Sequence, residues 1–244
     1  MTVKETLSEK MRKGTLHMTL LDPAKQDPRA AAEICGIACE LGTDAIMVGG
    51  STGVTQENLD RTVQAIKSKV DVPVIYFPSG AHAISPYADA MYFMSMLNSR
   101  NTRMVMREQA AGAPIVKKLK LETISMGYII VAPGMKVGEV GEADVIPRDN
   151  PKLAVAYALA AQYLGMDYVY LEAGSGAPQA VPEEMIAAVR SAIDIPLLVG
   201  GGIRDGETAA RVKRAGASVV VTGTVVENGE FAERLKNIIQ AVKA

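Results

Sequence analysis

The chain has 244 residues, a formal net charge of −1 and a composition that is 48% hydrophobic and 22% charged. A chain of this length and composition can bury a sizeable core. The near-neutral charge and the lack of a basic run argue against a nucleic-acid partner, because proteins that bind nucleic acids concentrate positive charge on one surface.

The amino-terminal segment and the cysteines indicate an intracellular protein. The segment MTVKETLSEK is charged and lacks the apolar core of a signal peptide. No apolar run reaches the length of a transmembrane helix, so we expect a cytoplasmic location. Cys35 and Cys39 lie four residues apart in a helical pattern and share one helix face. Because two cysteines cannot form a metal site alone, we expect buried thiols rather than a disulfide.

One pattern repeats along the chain: a short apolar run, a turn rich in Gly, Ser and Asp, and an amphipathic helix. This alternation predicts parallel strands joined by crossover helices. Eight such strands close an α/β fold of the TIM (β/α)8 barrel type, for which ~250 residues is typical, and we expect one barrel domain over residues 1–244. The predicted strands are 15–21, 44–48, 73–77, 88–97, 123–131, 168–171, 196–199 and 218–221. The predicted helices are 28–41, 56–69, 102–119, 151–164, 182–193, 206–215 and 230–242.

Three segments depart from this pattern. Between the third and fourth strands lies AHAISPY, at 81–87, which contains a proline and is too short for a helix with its loops. The barrel is therefore predicted to lack the helix after the third strand. Residues 133–148 form an insertion rich in Gly, Val and acidic residues, predicted as a loop or a small hairpin. Residues 112–114 are a candidate interruption of the helix 102–119.

Two glycine-rich turns follow the seventh and eighth strands, VGGGIR at 199–204 and VTGTVV at 221–226. TIM barrels build their active sites at the carboxyl ends of the strands, and phosphate often binds after the seventh and eighth. Glycine lets backbone N–H groups approach an oxyanion, and the hydroxyl of Thr222 or Thr224 can add a donor. A single turn of this kind could be only a tight turn. Two of them in these positions favour a phosphate site.

Asp22 ends the first strand and Ser51 follows the second, so both side chains can face the mouth of the barrel. A carboxylate near phosphates suits Mg²⁺, which prefers oxygen ligands and usually keeps several waters. Ser51 could supply a second oxygen. The residues alone fit equally well an alternative in which Asp22 caps the following loop and Ser51 turns the chain.

Glu172 ends the sixth strand, inside YLEAGSG at 170–176. A carboxylate in this position could hydrogen-bond a substrate hydroxyl or accept its proton, although on its own it also fits a solvated rim position. Tyr170 lies on the same strand face and could line the site or be structural. His17, inside the first strand, is predicted to have a core or barrel-bottom role. His82, in the loop 81–87, fits either an exposed position or one near substrate.

Five motifs recur in a fixed order along nearly the whole chain: LLDP at 20–23, GGST at 49–52, YLEAGSG at 170–176, GGGIR at 200–204 and TGT at 222–224. In order and spacing they resemble the geranylgeranylglyceryl phosphate synthase family. The missing third helix also fits this family. YLEAGSG together with GGST is highly specific, whereas the phosphate turns are shared by many barrels.

The resemblance implies a reaction and a set of site residues. The 3-hydroxyl of sn-glycerol 1-phosphate would displace diphosphate at C1 of geranylgeranyl diphosphate in the presence of Mg²⁺, forming an ether. Asp22 and Ser51 would hold the metal, and Glu172 would orient the attacking hydroxyl and could deprotonate it. The residues that would hold glycerol phosphate are Tyr170, Leu171, Glu172, Ala173, Gly174, Ser175, Gly176, Gly201, Gly202, Gly223 and Thr224.

Two features qualify the resemblance. Leu20 stands where bacterial relatives have a lysine, which argues against the heptaprenyl variant and requires one phosphate contact from elsewhere. The family forms dimers or hexamers, so a homo-oligomer is expected, and docking on membranes stays open.

Two other functions compete with the prenyltransferase. A phosphosugar isomerase or cyclase on the same barrel would need an acid–base partner for Asp22, and none is evident. A non-catalytic phosphate-binding barrel would not explain why Asp22, Ser51 and Glu172 all lie at strand ends.

A geranylgeranyl chain is far longer than the mouth of a barrel packed with side chains. It must therefore leave sideways, and the gap at 81–87 opens the wall beside the third strand. An apolar groove is predicted to run from Asp22 towards this gap. The candidate lining residues are Ile75, Phe77, Ile84 and Tyr87.

Overall fold

The computed structural model describes residues 1–227 and 231–244, and over these residues eight parallel strands form a closed barrel. Each strand pairs with the next along the chain, and the last pairs with the first. The TIM-barrel prediction is confirmed. The strands are β1 (Leu16–Leu21), β2 (Ala45–Val48), β3 (Val74–Tyr76), β4 (Ala90–Met96), β5 (Glu122–Ile130), β6 (Tyr168–Glu172), β7 (Leu197–Gly200) and β8 (Val219–Thr222).

Helices surround the barrel and cover its outer surface. The α-helices are α1 (Val3–Met11), α2 (Pro28–Glu40), α3 (Gln56–Lys67), α4 (Glu108–Leu119), α5 (Met135–Val140), α6 (Pro151–Tyr163), α7 (Glu183–Ala192), α8 (Gly206–Arg214) and α9 (Phe231–Lys243). A π-helix covers Arg103–Arg107 and a 3-10 helix covers Thr224–Glu227. None of the helices in the described part of the chain combines the length and apolar character that crossing a membrane requires.

The chain passes from β3 to β4 without a helix, as predicted from the short, proline-containing segment between them. The Tyr76 hydroxyl donates a hydrogen bond to the carbonyl of Ala83 at 2.7 Å, which holds this segment against β3. The predicted start of the last helix, residue 230, lies outside the described residues, and the helix is described from Phe231 onward.

Two local predictions are wrong. Residues 112–114 do not interrupt α4, which continues through Pro114 because Gly112 and Val116 are buried against the barrel and hold the helix in place. The insertion 133–148 is neither a plain loop nor a hairpin but contains α5. Gly141 lets this short helix pack closely, since a Cβ there would lie 2.3 Å from the sulfur of Met96.

The amino-terminal helix α1 closes the bottom of the barrel. Leu7 is fully buried with the interior side chains Leu16 and Met18. The N–H of Val3 donates to the Glu122 carboxylate at the start of β5, at 2.7 Å. A capping box of Thr2 and Glu5 starts the helix. The bottom of the barrel is thus sealed by protein.

Aromatic rings fill the interior of the barrel below the carboxyl ends of the strands. Phe77, Tyr92, Tyr128 and Tyr170 contact one another with ring centroids 5.2 to 6.1 Å apart. All four are at most 9% exposed. This layer forms a floor, so a ligand at the mouth of the barrel cannot extend downwards.

Candidate active site

Two adjoining cavities lie at the carboxyl ends of the strands. The larger has a volume of about 350 Å³ and the smaller about 40 Å³. The two cavities meet at four residues that line both of them, Leu20, Glu172, Ser175 and Gly223. The Glu172 carboxylate therefore stands at the junction of a small space lined by glycines and hydroxyl groups and a larger space with a mainly apolar lining.

The smaller cavity is formed by the turns after β6, β7 and β8. It brings together Tyr170, Glu172 and the small residues predicted to bind glycerol phosphate, which are Ser175, Gly176, Gly201, Gly202, Gly223 and Thr224. Leu171 and Ala173 point instead into the core between the barrel and the helices. These two residues line neither cavity. Gly174 does not line a cavity either, but its backbone N–H donates a hydrogen bond to the Glu172 carboxylate.

Hydrogen bonds tie the three turns of the smaller cavity together. The Thr224 hydroxyl accepts from the N–H of Gly176 at 3.1 Å and lies 3.0 Å from the Ser175 hydroxyl. The Arg204 guanidinium donates to the carbonyls of Gly176 and Ala177 at 2.8 and 2.9 Å. This arrangement fixes the backbone of 175–177 and places a permanent positive charge at the cavity wall, which suits a bound phosphate.

Gly201 and Gly202 cannot be replaced by larger residues without displacing the turn. Both have left-handed backbone angles, with φ of 80° and 70°. A Cβ on Gly201 would lie 2.4 Å from a Glu172 carboxylate oxygen, and one on Gly202 would lie 2.4 Å from the backbone of Gln179. The glycines therefore allow Glu172 and the turn after β6 to approach the end of β7.

Glu172 is a buried carboxylate, only 6% exposed. It accepts a hydrogen bond from the N–H of Gly174 at 2.6 Å. Burial raises the pKa of the Glu172 carboxyl above its ordinary value, and hydrogen bonds from Gly174, Tyr170 and Tyr128 oppose this rise. A carboxylate with a raised pKa is a better proton acceptor than one in water.

Asp22 and Ser51 both line the larger cavity beside its junction with the smaller one. The Asp22 carboxylate accepts from the N–H of Ala24 at 2.9 Å, and a Cβ on Gly50 would lie 2.3 Å from its oxygen. Partial burial is the largest cause that raises the pKa of Asp22. One carboxylate and one hydroxyl, facing space for phosphate oxygens and water, match the oxygen ligands of Mg²⁺.

Lys25 lies on the wall of the larger cavity near Asp22, whose pKa its charge lowers. Its ammonium donates to the Glu227 carboxylate at 2.7 Å. Glu227 is the last residue of the 3-10 helix that starts at Thr224. The ion pair therefore connects the segment after β1 to the turn after β8. Lys25 therefore brings a cation to the wall of the larger cavity, which the apolar Leu20 also lines.

From Asp22 the larger cavity runs sideways over the aromatic floor and under α4. Its apolar wall is rich in methionine. Helix α4 contributes Gly112 and Val116 to this wall. Of the predicted groove residues, Phe77 and Ile84 line it, whereas Ile75 lies inside the barrel and Tyr87 is 44% exposed. The main apolar lining residues are Leu20, Phe77, Ile84, Met91, Phe93, Met94, Met96, Met104 and Val137.

The chain is similar to known proteins over nearly its whole length. A model of the PcrB family matches residues 7–243. The chain belongs to this family. Geranylgeranylglyceryl phosphate synthase from Pyrococcus horikoshii is 52% identical over 99% of this chain and 95% of its own length. The enzyme of that name from Methanothrix thermoacetophila is 54% identical over 94% of this chain and 91% of its own length.

Solved structures similar to this PcrB-family chain include a close relative with a bound substrate. The (S)-3-O-geranylgeranylglyceryl phosphate synthase from Thermoplasma acidophilum, in complex with sn-glycerol-1-phosphate, superposes with a TM-score of 0.97 at 46% identity, covering 100% of this chain and 99% of that chain. A thiamine phosphate pyrophosphorylase from Pyrococcus furiosus, at 16% identity and a TM-score of 0.62, shares the barrel fold alone.

Sequence reasoning missed several residues of this PcrB-family site. Arg204, Lys25 and Glu227 carry charges at the cavity walls, and the predicted site does not include them. Arg204 lies inside GGGIR, so its motif was a usable signal. The pairing of Lys25 with Glu227 joins residues 202 positions apart and has no local signal.

The two histidines lie outside both cavities of the PcrB-family site. His17 is fully buried between Thr43 and Thr222, with each ring nitrogen 2.9 Å from a hydroxyl. Burial lowers its pKa to about 3, so it is neutral at ordinary pH. This burial agrees with the predicted core role. His82 is exposed, and its ring lies 3.1 Å from the carbonyl of Val54.

Proposed function

We propose that this chain is a Mg²⁺-dependent prenyltransferase that joins geranylgeranyl diphosphate to the 3-hydroxyl of sn-glycerol 1-phosphate. The observation that carries the proposal is the meeting of two cavities of different chemistry at Glu172. The smaller one suits a glycerol phosphate, and the larger one suits a diphosphate near Asp22 with its prenyl chain extending under α4. The relatives that share half of its sequence bear the name of this enzyme.

Glu172 is the proton acceptor of the proposed reaction. The bond between C1 of the prenyl chain and the diphosphate oxygen breaks, and diphosphate leaves with the electron pair. The bond between the glycerol oxygen and C1 forms, and the hydroxyl proton passes to the Glu172 carboxylate. The N–H of Gly174 and the nearby Tyr170 and Tyr128 hydroxyls hold this carboxylate towards the cavity junction.

Asp22 and Ser51 are the residues that would hold Mg²⁺. When bound there, the ion supplies positive charge that neutralises the departing diphosphate. Asp22 is fixed for this role by the N–H of Ala24 and by the space that Gly50 leaves.

The aromatic floor and the position of α4 determine where the prenyl chain goes. Each buried CH₂ contributes about 0.8 kcal/mol to binding, so we expect KM to rise by roughly 10-fold or more for each isoprene unit removed from the diphosphate substrate. Steady-state kinetics with diphosphates of C10, C15 and C20 chains measure this. KM for sn-glycerol 1-phosphate serves as the control and should stay constant. If KM does not depend on chain length, the chain does not lie in the cavity under α4.

Lys25 would supply a diphosphate contact. We expect Lys25→Met to raise KM for geranylgeranyl diphosphate by roughly 10-fold or more, since a hydrogen bond to a charged group contributes about 1.5–3 kcal/mol. Calorimetry with inorganic diphosphate should show the same loss of affinity.

Lys69→Met is the matched control for Lys25. Lys69 is also 47% exposed and paired with a glutamate, Glu33, but it lines neither cavity. This variant should keep its diphosphate affinity. If the two variants have the same affinity for diphosphate, Lys25 does not contact the diphosphate.

The test of the proposed function is product formation by the purified protein. Mass spectrometry should detect the prenyl ether of glycerol phosphate when both substrates and Mg²⁺ are supplied. A phosphosugar isomerase or cyclase would instead turn over a phosphosugar without any prenyl substrate, and a non-catalytic barrel would bind glycerol phosphate without any product. The homo-oligomer and the cytoplasmic location stay predictions.

A further inference from the structure

The outer side of the π-helix and α4 carries an excess of positive charge. Residues 103–120 contain five basic side chains and one acidic one, whereas the whole chain has 26 basic and 27 acidic residues. The acidic one, Glu108, pairs with Arg103 and accepts from the N–H of Ala81. Within residues 1–227 and 231–244, the other four basic side chains form no ion pair. These four, the basic cluster of α4, are Arg107, Lys117, Lys118 and Lys120.

Large apolar side chains are exposed between these cations. Met106 is 63% exposed, Ile115 43% and Leu119 36%. Exposed apolar side chains interspersed with Lys and Arg are typical of surfaces that lie on anionic lipid, because the apolar groups enter the interface while the cations contact head groups. The outer face of α4 therefore has the composition of a membrane-docking surface.

The inner face of the same helix lines the larger cavity. Gly112 and Val116 are buried and contribute to the wall along which the prenyl chain is proposed to lie. The helix is thus the partition between this cavity and the outer surface. A prenyl diphosphate and a prenyl ether lipid are both amphiphiles whose long chains partition into a bilayer.

We propose that the outer face of α4 docks on an anionic lipid bilayer and holds the larger cavity beside the surface from which the prenyl substrate is taken. The orientation rests on charge complementarity: the basic cluster of α4 faces outward, and the one acidic side chain within residues 103–120, Glu108, is paired with Arg103. The purpose of the docking rests on the proposed prenyltransferase function, whereas the docking itself does not.

The test is sedimentation of the full chain with vesicles of phosphatidylglycerol and phosphatidylcholine, compared with vesicles of phosphatidylcholine alone. We expect binding to the anionic vesicles only, and weaker binding as salt is raised. Lys117→Glu combined with Lys118→Glu should lower the partition coefficient by roughly 30-fold or more, at about fivefold for each cation removed.

Arg12→Glu combined with Lys13→Glu is the matched control. It makes the same change in net charge at exposed residues that follow α1, at the bottom of the barrel. This variant should bind anionic vesicles nearly as well as the unaltered chain. Equal loss of binding in both variants would overturn the proposed surface, as would equal binding of the unaltered chain to neutral and anionic vesicles.

Turnover separates docking from catalysis. With detergent-dispersed geranylgeranyl diphosphate, Lys117→Glu with Lys118→Glu should keep its activity, because neither residue lines a cavity. With the substrate embedded in anionic vesicles, its activity should fall together with its binding. If the surface joins two copies of the chain instead, the variant will change the oligomeric state without changing vesicle binding, and docking is overturned. If the unaltered chain binds anionic vesicles but shows no turnover in detergent, the proposed function fails while docking stands.

Discussion

Glu172→Gln is expected to lower kcat by roughly 10²-fold or more, the usual contribution of a general base. The amide keeps the size of the carboxylate and can still accept from the N–H of Gly174, but it cannot take a proton from the glycerol hydroxyl. KM for both substrates should change little. Steady-state kinetics with each substrate varied in turn measure the effect.

Two controls accompany this variant. Thermal unfolding should show that the fold survives, since Glu172 lies at the mouth of the barrel, above the aromatic floor. The pH dependence of kcat in the unaltered enzyme should show an acidic limb above the ordinary range of a glutamate, because burial raises the pKa of this carboxyl and only its charged form accepts a proton. If the Glu172→Gln variant shows the same kcat and the same acidic limb as the unaltered enzyme, Glu172 is only a turn residue.

Asp22→Asn is expected to lower turnover at ordinary Mg²⁺ by on the order of 10³-fold, since a bound metal contributes several kcal/mol to stabilising developing charge. Asparagine keeps the acceptor for the N–H of Ala24 but removes the negative charge. Calorimetry with sn-glycerol 1-phosphate should give nearly the same affinity as the unaltered chain, because Asp22 lines only the larger cavity.

Raising the Mg²⁺ concentration distinguishes a metal ligand from a structural residue. A variant with a weakened metal site should recover part of its turnover at high Mg²⁺, whereas a structural defect should not respond. Near-normal activity of Asp22→Asn at ordinary Mg²⁺ would show that Asp22 is not a metal ligand.

The repeat of apolar runs and turns was sufficient to predict the barrel, because parallel strands buried on both faces give a strong local pattern. The glycine-rich turns after the seventh and eighth strands indicated a site at this end of the barrel, and Gly201 and Thr224 line the smaller cavity there. The repeat also indicated the missing helix, because 81–87 is short and contains Pro86.

Other features of the structure depend on contacts between segments that are distant in sequence, and a local sequence pattern does not predict these. Ile75 and Phe77 point to the same side of their strand, into the barrel, but only Phe77 lies close enough to the carboxyl end to line the cavity. Strand alternation does not give this depth, so the prediction that Ile75 lines the groove is wrong. Tyr87 is excluded for a different reason, since its loop turns it towards solvent. Gly141, which caps the carboxyl end of helix α5, packs closely against Met96, and this contact joins segments that are distant in sequence.

The charged pairs show the same limit. Lys25 and Glu227 come together only when β1 and β8 close the barrel, so neither could be selected from its own segment. The outer face of α4 shows the same limit. Its cations are spread over 103–120 in the sequence, and only the helical conformation brings them to the exposed side.

The most direct measurement is release of diphosphate by the purified chain, with geranylgeranyl diphosphate, sn-glycerol 1-phosphate and Mg²⁺ each omitted in turn. The proposed reaction predicts release only when all three are present, with one diphosphate for each ether formed. Diphosphate release that does not need glycerol phosphate, or no release when all three are supplied, would contradict the assignment.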